Sequence, residues 1–455
     1  MKSSNKIFRY LLYILPLVLF FSYHPLIHFG TGESMNFEIS LPLIWLVIFD
    51  VYGLFMILKF RKIKEILRNY VWLLFPIFMT ISLIWTYDLL RGILIGGVLW
   101  LIYFAGYSIY IFRKEISDKG FWKNFFKVFL YSSLFVCFWC VLQCVLDVLG
   151  VGREYSLACT GCTYEIFGFP HPNGFAAEPQ FMGNLLLAPI VMTIYLLEKK
   201  NYFSRKFLLI CLFVFIATLF LTLSRGAIYA FGVGLVFFVI TKIVKEKRWQ
   251  SLALFVLTFL AFLFTLNLQG IFADFSPTND TYVSGVSKVV NQLTLGKVDL
   301  GGSKVKKEEV EEKETEVETE TAIFDGYVEV STSGRTEVWK GALKTWSKDF
   351  KTIMFGVGLG GGLKGMYESG NYPSSQENVN NEYINVLLEG GLVGVLLLIL
   401  SLILAFKIIY KMSGRLYLFT LVIIYLVSLL FFSGLPNVLQ IYLLPVVFTR
   451  FYGKS

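Results

Sequence analysis

The chain has 455 residues, of which 56% are hydrophobic and only 16% charged. Its charged residues gather in short clusters between apolar runs of membrane-spanning length, which is how a polytopic helical membrane protein is written, and only residues 271–383 leave room for anything outside a bilayer. The net charge of +9 does not signal a nucleic-acid partner, because Lys and Arg sit at the ends of apolar runs, where they set topology.

The first apolar run, Ile7 to Phe21, follows Lys2, Lys6 and Arg9 as a signal peptide would, but Ser22, Tyr23, His24 and Pro25 form no small-residue cleavage site. It reads as an uncleaved first helix. Hydropathy predicts spans near residues 8–26, 39–59, 70–87, 91–112, 124–148, 181–197, 207–223, 226–243, 251–270, 386–408, 416–433 and 437–451. The expected fold class is therefore all-α: a polytopic bundle of about 12 transmembrane helices with one large extracytoplasmic loop containing short helices. In this division residues 1–270 carry helices one to nine, 271–383 the loop, and 384–455 the last three helices.

Orientation follows from the basic residues. With the N-terminus inside, the cytoplasmic segments hold 26 of the 41 Lys and Arg, the short outer loops only Arg91, Arg153 and Arg225, and the long loop the other 12. That bias places both termini in the cytoplasm and the long loop outside the cytoplasmic membrane. Cys137, Cys140, Cys144 and Cys211 lie in apolar runs, where a thiol packs and stays inert. Cys159 and Cys162 form one C-x-x-C outside the cytoplasm, open to a disulfide, two thiols or half a metal site.

The long loop has three parts. Residues 304–321 carry eight Glu against four Lys and read as a solvated spacer. Next comes an amphipathic helix over 332–350, capped by Ser333, with Trp339, Ala342, Leu343, Trp346 and Phe350 on one face lying on the membrane or against the bundle. Third, the glycine run at 356–362 matches a dinucleotide fingerprint in spacing only, since it opens no βαβ unit.

Ionisable groups at membrane depth are costly and invite functional readings. Asp50, Asp147 and Arg91 suit snorkelling or helix-to-helix pairing, whereas Thr222–Gly226 is the entire outer connection between two spans and its Arg225 suits a phosphate group or an anionic lipid headgroup equally. Arg335 continues the stripe of Trp339, Ala342 and Trp346 as a second anion-binding candidate. Asn381 or Glu382, then Asn385 and Glu389, recur at helical spacing, so a polar stripe enters the tenth span and needs a wet cavity or polar partners. In the loop from Phe167 to Gln180, His171 and Glu178 are candidate proton-transfer groups.

Five short motifs in this order resemble the O-antigen ligase and polymerase superfamily of bacterial envelope glycosyltransferases, over about residues 80 to 400. They are Trp85-Thr86-Tyr87-Asp88, the Phe167–Pro179 loop, the Thr222–Gly226 turn, Gly334-Arg335 with Trp339 followed by Gly356–Gly360, and Asn380-Asn381 nine residues before Gly391 and Gly394. In the last element the ligases carry a histidine, regarded as catalytic, where this chain has Asn380, which counts against ligase chemistry. The polymerase branch leans on outer-loop arginines, here Arg225 and Arg335.

The resemblance implies transfer of a glycan from a polyprenyl diphosphate carrier to an acceptor hydroxyl, on glycan or lipid, at the outer face. Arg225 and Arg335 would stabilise the diphosphate leaving group, and Glu178, Glu382 or His171 would take the hydroxyl proton. Arg91, Trp339, Asn380, Asn381 and Asn385 would bind substrate. No metal, nucleotide or other cofactor is implied; membrane lipids are the remaining partners. A ligase joining a finished glycan to lipid or protein is the alternative within the family. A transporter or flippase is the alternative class, although no repeated halves are visible.

Overall fold

The computed structural model describes residues 2–22, 27–30, 36–62, 70–112, 119–159, 161–163, 169–199, 202–275, 281–295, 297–298, 334–373, 379–410, 414–432 and 439–452. The acidic spacer 304–321, the expected cap Ser333, and Phe167 and Gly168 of the loop motif lie outside these residues.

The elements run in order α1 (Lys2–Phe20), β1 (Ile27–Gly30), β2 (Asn36–Ile39), α2 (Leu41–Lys59), α3 (Leu74–Ile81), α4 (Leu89–Ile111), α5 (Lys119–Val148), α6 (Arg153–Ser156), α7 (Pro179–Lys199), α8 (Arg205–Leu221) and α9 (Arg225–Glu246). They continue with α10 (Ala253–Asp274), α11 (Tyr282–Leu293), α12 (334–346), α13 (Phe350–Phe355), α14 (Gly362–Glu368), α15 (Glu382–Tyr410), α16 (Arg415–Ser428) and α17 (Leu439–Tyr452). Helices fall in all of the predicted apolar segments because a helix satisfies every backbone polar group within itself, which lipid demands. Among the described residues, seven helices are long and apolar enough to cross a membrane: α2, α4, α5, α7, α9, α10 and α15. Val71–Trp85, Arg415–Ser428 and Leu439–Thr449 are shorter apolar helices. The chain is a multi-pass membrane protein.

The described fold is all-helical as expected apart from one short hairpin, in which β1 and β2 pair antiparallel with Ile27 opposite Ile39, and one expectation needs correction. Both tetrapeptides alternate apolar and polar residues with period two, a strand signal too short to register in a hydropathy window. The helix expected over 332–350 stops at 346, because Asp349 opens a new one: its carboxylate accepts the Thr352 N–H at 2.8 Å while the Thr352 hydroxyl caps the Asp349 N–H. Its buried face is Val338, Ala342 and Thr345 with Trp339 and Trp346 beside them, whereas Leu343 and Phe350 are exposed.

Packing divides the chain into two compact units, residues 1–131 with 335–455 and residues 132–334. In the first, α1, α2 and α4 pack through Phe8, Trp45 and Phe49, with the Trp45 indole N–H donating to the Leu11 carbonyl at 2.9 Å. A Cβ on Gly53 of α2 would lie 2.5 Å from the Ser108 hydroxyl of α4, so a glycine lets these helices touch. In the second, α10 packs against α8 and α11, where Gly270 meets the Tyr282 ring and Gly285 meets Ala273.

Candidate functional site

Within the first unit the motifs converge on a break in α15. Gly391 adopts φ 61°, ψ −164°, which interrupts the helix and releases the carbonyls of Leu388 and Glu389 from their helical partners. The glycine-rich loop takes them up: Val357 N–H donates to Leu388 at 2.9 Å and Gly358 N–H to Glu389 at 3.0 Å. On its other side the loop is stitched to the Trp85–Asp88 motif, with Thr86 Oγ1 donating to the Leu359 carbonyl at 2.8 Å and Leu359 N–H to Ser82 Oγ at 2.9 Å. Asp88 then caps α4 by accepting the Arg91 N–H at 3.0 Å. The glycines of this run serve backbone approach between two helical segments, and the motif is a scaffold for what lies beside it.

Beside it is a cavity of about 370 Å³. One wall is a face of α4 from Arg91 in its first turn through Ile95, Leu99 and Tyr103 to Tyr110 in its last. That face is about 28 Å long at 1.5 Å per residue, close to the thickness of a hydrocarbon core. The opposite wall is α15, whose Glu382, Asn385 and Glu389 all line the cavity, so the polar stripe predicted on this helix faces a hollow. Glu382 and Glu389 are 7% and 5% exposed. Glu389 accepts the Gly362 N–H at 3.4 Å, also meets the Gly360 N–H, and lies within reach of the Arg91 charge. Glu382 shares its surroundings with Tyr442, which in turn neighbours Tyr103 and Tyr383.

Other predicted residues support this wall without lining it. Trp339 donates its indole N–H to the Val379 carbonyl at 2.8 Å, and Val379 lines the cavity. Asn381 caps α15, accepting the Tyr383 and Ile384 N–H groups at 3.1 Å and donating to the Leu430 carbonyl at 3.0 Å. Those contacts account for its polar atoms within the fold and give it a structural task. Asn380 is half-buried with φ 49°, a left-handed conformation that Asn tolerates better than most residues. Arg335, second residue of α12, is half-buried and is not among the residues lining the cavity.

The second unit holds Arg225, His171 and Glu178. The loop up to Gln180 is packed into the protein where it is described: residues 169–176 are buried. Gln143 of α5 explains why, since its amide donates to the carbonyls of Ser156 and Gly174 at 3.0 Å and accepts the Gly174 N–H at 2.8 Å. Gln269 of α10 adds a bond to the Pro170 carbonyl at 3.1 Å. These two intramembrane amides escaped the sequence reading, although a glutamine inside an apolar run was the available signal. Cys159 and Cys162 form a disulfide, and Cys159 N–H donates to the Asn173 side chain at 3.2 Å. Glu178 is exposed at the start of α7, bonded to Gln180 at 2.8 Å.

His171 packs on Phe169 with ring centroids 4.5 Å apart, and burial, with the Arg225 charge nearby, lowers its pKa to about 3. It is therefore neutral at pH 7 and a poor proton acceptor there. Below pH 6.5 the unfolded chain takes up a proton that the folded chain refuses, so stability is complete above that pH and falls as pH drops from 6.5 toward 3. The expected cost is about 1 kcal/mol per pH unit, measured as a falling melting temperature in detergent, and His171→Phe should flatten the slope.

Residues 209–399 match the O-antigen ligase (Wzy_C) family model. This stretch of the chain is similar to the O-antigen ligase family. The matched stretch runs from α8 into α15 and so encloses the Arg225 turn, α12, the glycine loop and the broken helix, while Arg91 and His171 lie before it. No curated protein matches the chain. Among the described residues, no three His, Cys, Asp or Glu side chains gather as a metal-binding group.

Proposed function

We propose that this protein is a polymerase-type glycosyltransferase that moves a glycan from a polyprenyl diphosphate carrier to an acceptor hydroxyl at the outer face of the cytoplasmic membrane, with about twelve spans and the long loop outside. The observation that carries this is the long cavity with mainly apolar walls and Arg91 at one end of its α4 wall, a shape suited to an isoprenoid chain bearing an anionic head. Arg91, at the end we read as the mouth, would hold the diphosphate. Arg225 and Arg335 are assigned the same class of ligand for a shared physical reason. All three arginines sit in the first turn of a helix, where the macrodipole disfavours a cation and favours an anion, so each is placed for a negatively charged partner more than for helix stability.

In the reaction the acceptor oxygen attacks the anomeric carbon, the bond from that carbon to the diphosphate oxygen breaks, and the diphosphate leaves with the electron pair. Arginine stabilises the charge it gains. The acceptor proton passes to Glu382, which lines the cavity, in preference to His171, which is neutral and weakly basic, or Glu178, which is exposed. Asn385, one turn further along the same wall, is placed to hydrogen-bond substrate, and Asn380 and Trp339 support the rim. The ligase reading is kept because the matching family model is described by that activity.

The test is Arg91→Ala in a strain whose surface glycan depends on this protein. Single repeat units are the expected product, with a loss of about 10²- to 10³-fold in transfer. Long unattached chains would replace the polymerase reading with the ligase one. Substrate trapped on the inner face would make the protein a transporter, and an unchanged glycan would remove Arg91 from the mechanism.

A further inference from the structure

We propose that Glu389 is a positioning residue, whose carboxylate fixes the glycine-rich loop and the Arg91 guanidinium together at the cavity mouth in the orientation that receives a diphosphate. This rests on the reading above, that the mouth binds such a group.

A carboxylate buried to 5% exposure on an apolar helix is retained only where partners compensate its lost hydration. Glu389 has them from two directions. Its side chain meets the N–H groups of Gly360 and Gly362, and its own carbonyl, released by the Gly391 break, accepts the Gly358 N–H at 3.0 Å. One residue thus holds three donors of a five-residue loop. That loop lies directly on the start of α4: a Cβ on Gly360 would stand 2.5 Å from the Gly92 nitrogen and 2.9 Å from the Arg91 carbonyl carbon. Any shift of the Glu389 carboxylate is therefore passed to Arg91 through backbone contact as well as through charge.

Glu389 and Glu382 also differ in task. They are seven residues apart on one face, about 10 Å along the helix, and both line the cavity. Glu389 lies within reach of the Arg91 charge, and Glu382 neighbours Tyr442. The first is assigned the geometry, and the second the proton.

The experiment is a double-mutant cycle on the detergent-solubilised full-length chain with farnesyl diphosphate as the probe. Glu389→Gln keeps an oxygen for the loop N–H groups and removes only the charge facing Arg91, so its melting temperature should match the wild type. Probe binding should weaken about tenfold, and the double variant with Arg91→Ala should bind no more weakly than Arg91→Ala alone. Glu389→Asp, which keeps the charge, should recover part of the loss, a rescue that a purely structural role would not produce. Additive losses, tighter binding by Glu389→Gln, or binding equal to the wild type would overturn the proposal while leaving Arg91 in place. Unchanged binding by Arg91→Ala would instead overturn the reading of the cavity itself.

Discussion

Glu382→Gln is expected to lower glycan transfer by about 10²- to 10⁴-fold, the range by which a positioned general base contributes. The amide is nearly isosteric with the carboxylate but accepts a proton far less readily. The fold should tolerate the change, because the Glu382 backbone N–H bonds to the Leu429 carbonyl at 2.9 Å and the helix cap belongs to Asn381. Transfer measured with purified protein in vesicles, alongside a melting curve, separates the two effects. Binding of the lipid-linked donor should survive, so the loss falls on turnover. If Glu382→Gln turns over normally while Glu178→Gln does not, the base lies in the other unit and the cavity is a binding site only.

Gly358→Ala should be strongly destabilising. Gly358 has φ 88°, and a Cβ there would stand 2.6 Å from Thr86 Cα and 2.7 Å from the Ser82 carbonyl oxygen. Both neighbours are backbone and have nowhere to rotate. Left-handed strain of about 1–2 kcal/mol and overpacking of about 1–3 kcal/mol add to roughly 2–5 kcal/mol, a large share of ordinary stability. The readout is a lower melting temperature with loss of the cavity mouth. Gly97→Ala is the control: it lies on α4 with open space around its Cβ, and its melting temperature should be unchanged or slightly raised.

The motif glycines show how a pattern can be read correctly in position and differently in purpose. Spacing alone excluded a nucleotide cradle at 356–362, but it could not say that Gly356, Gly358 and Gly360 let two backbones touch, because that depends on Thr86, Gly92 and Glu389, all distant in the chain. The same holds for the loop at 169–176. Its Pro and Gly content reads as a loop, and Gln143 and Gln269 satisfy its backbone from neighbouring helices and draw it into the protein.

Local composition by itself determined that the chain is helical and membrane-embedded, where its apolar segments lie, and that α15 begins with a polar stripe. These follow from transfer energy and helical period, which act within one segment. Only the tertiary structure decided that the stripe faces a cavity shared with α4, that Arg91 joins Glu382 and Glu389 there while Asn381 caps a helix, and that His171 is held neutral. Those outcomes depend on which helices become neighbours, and neighbours are chosen by packing, which no single segment encodes.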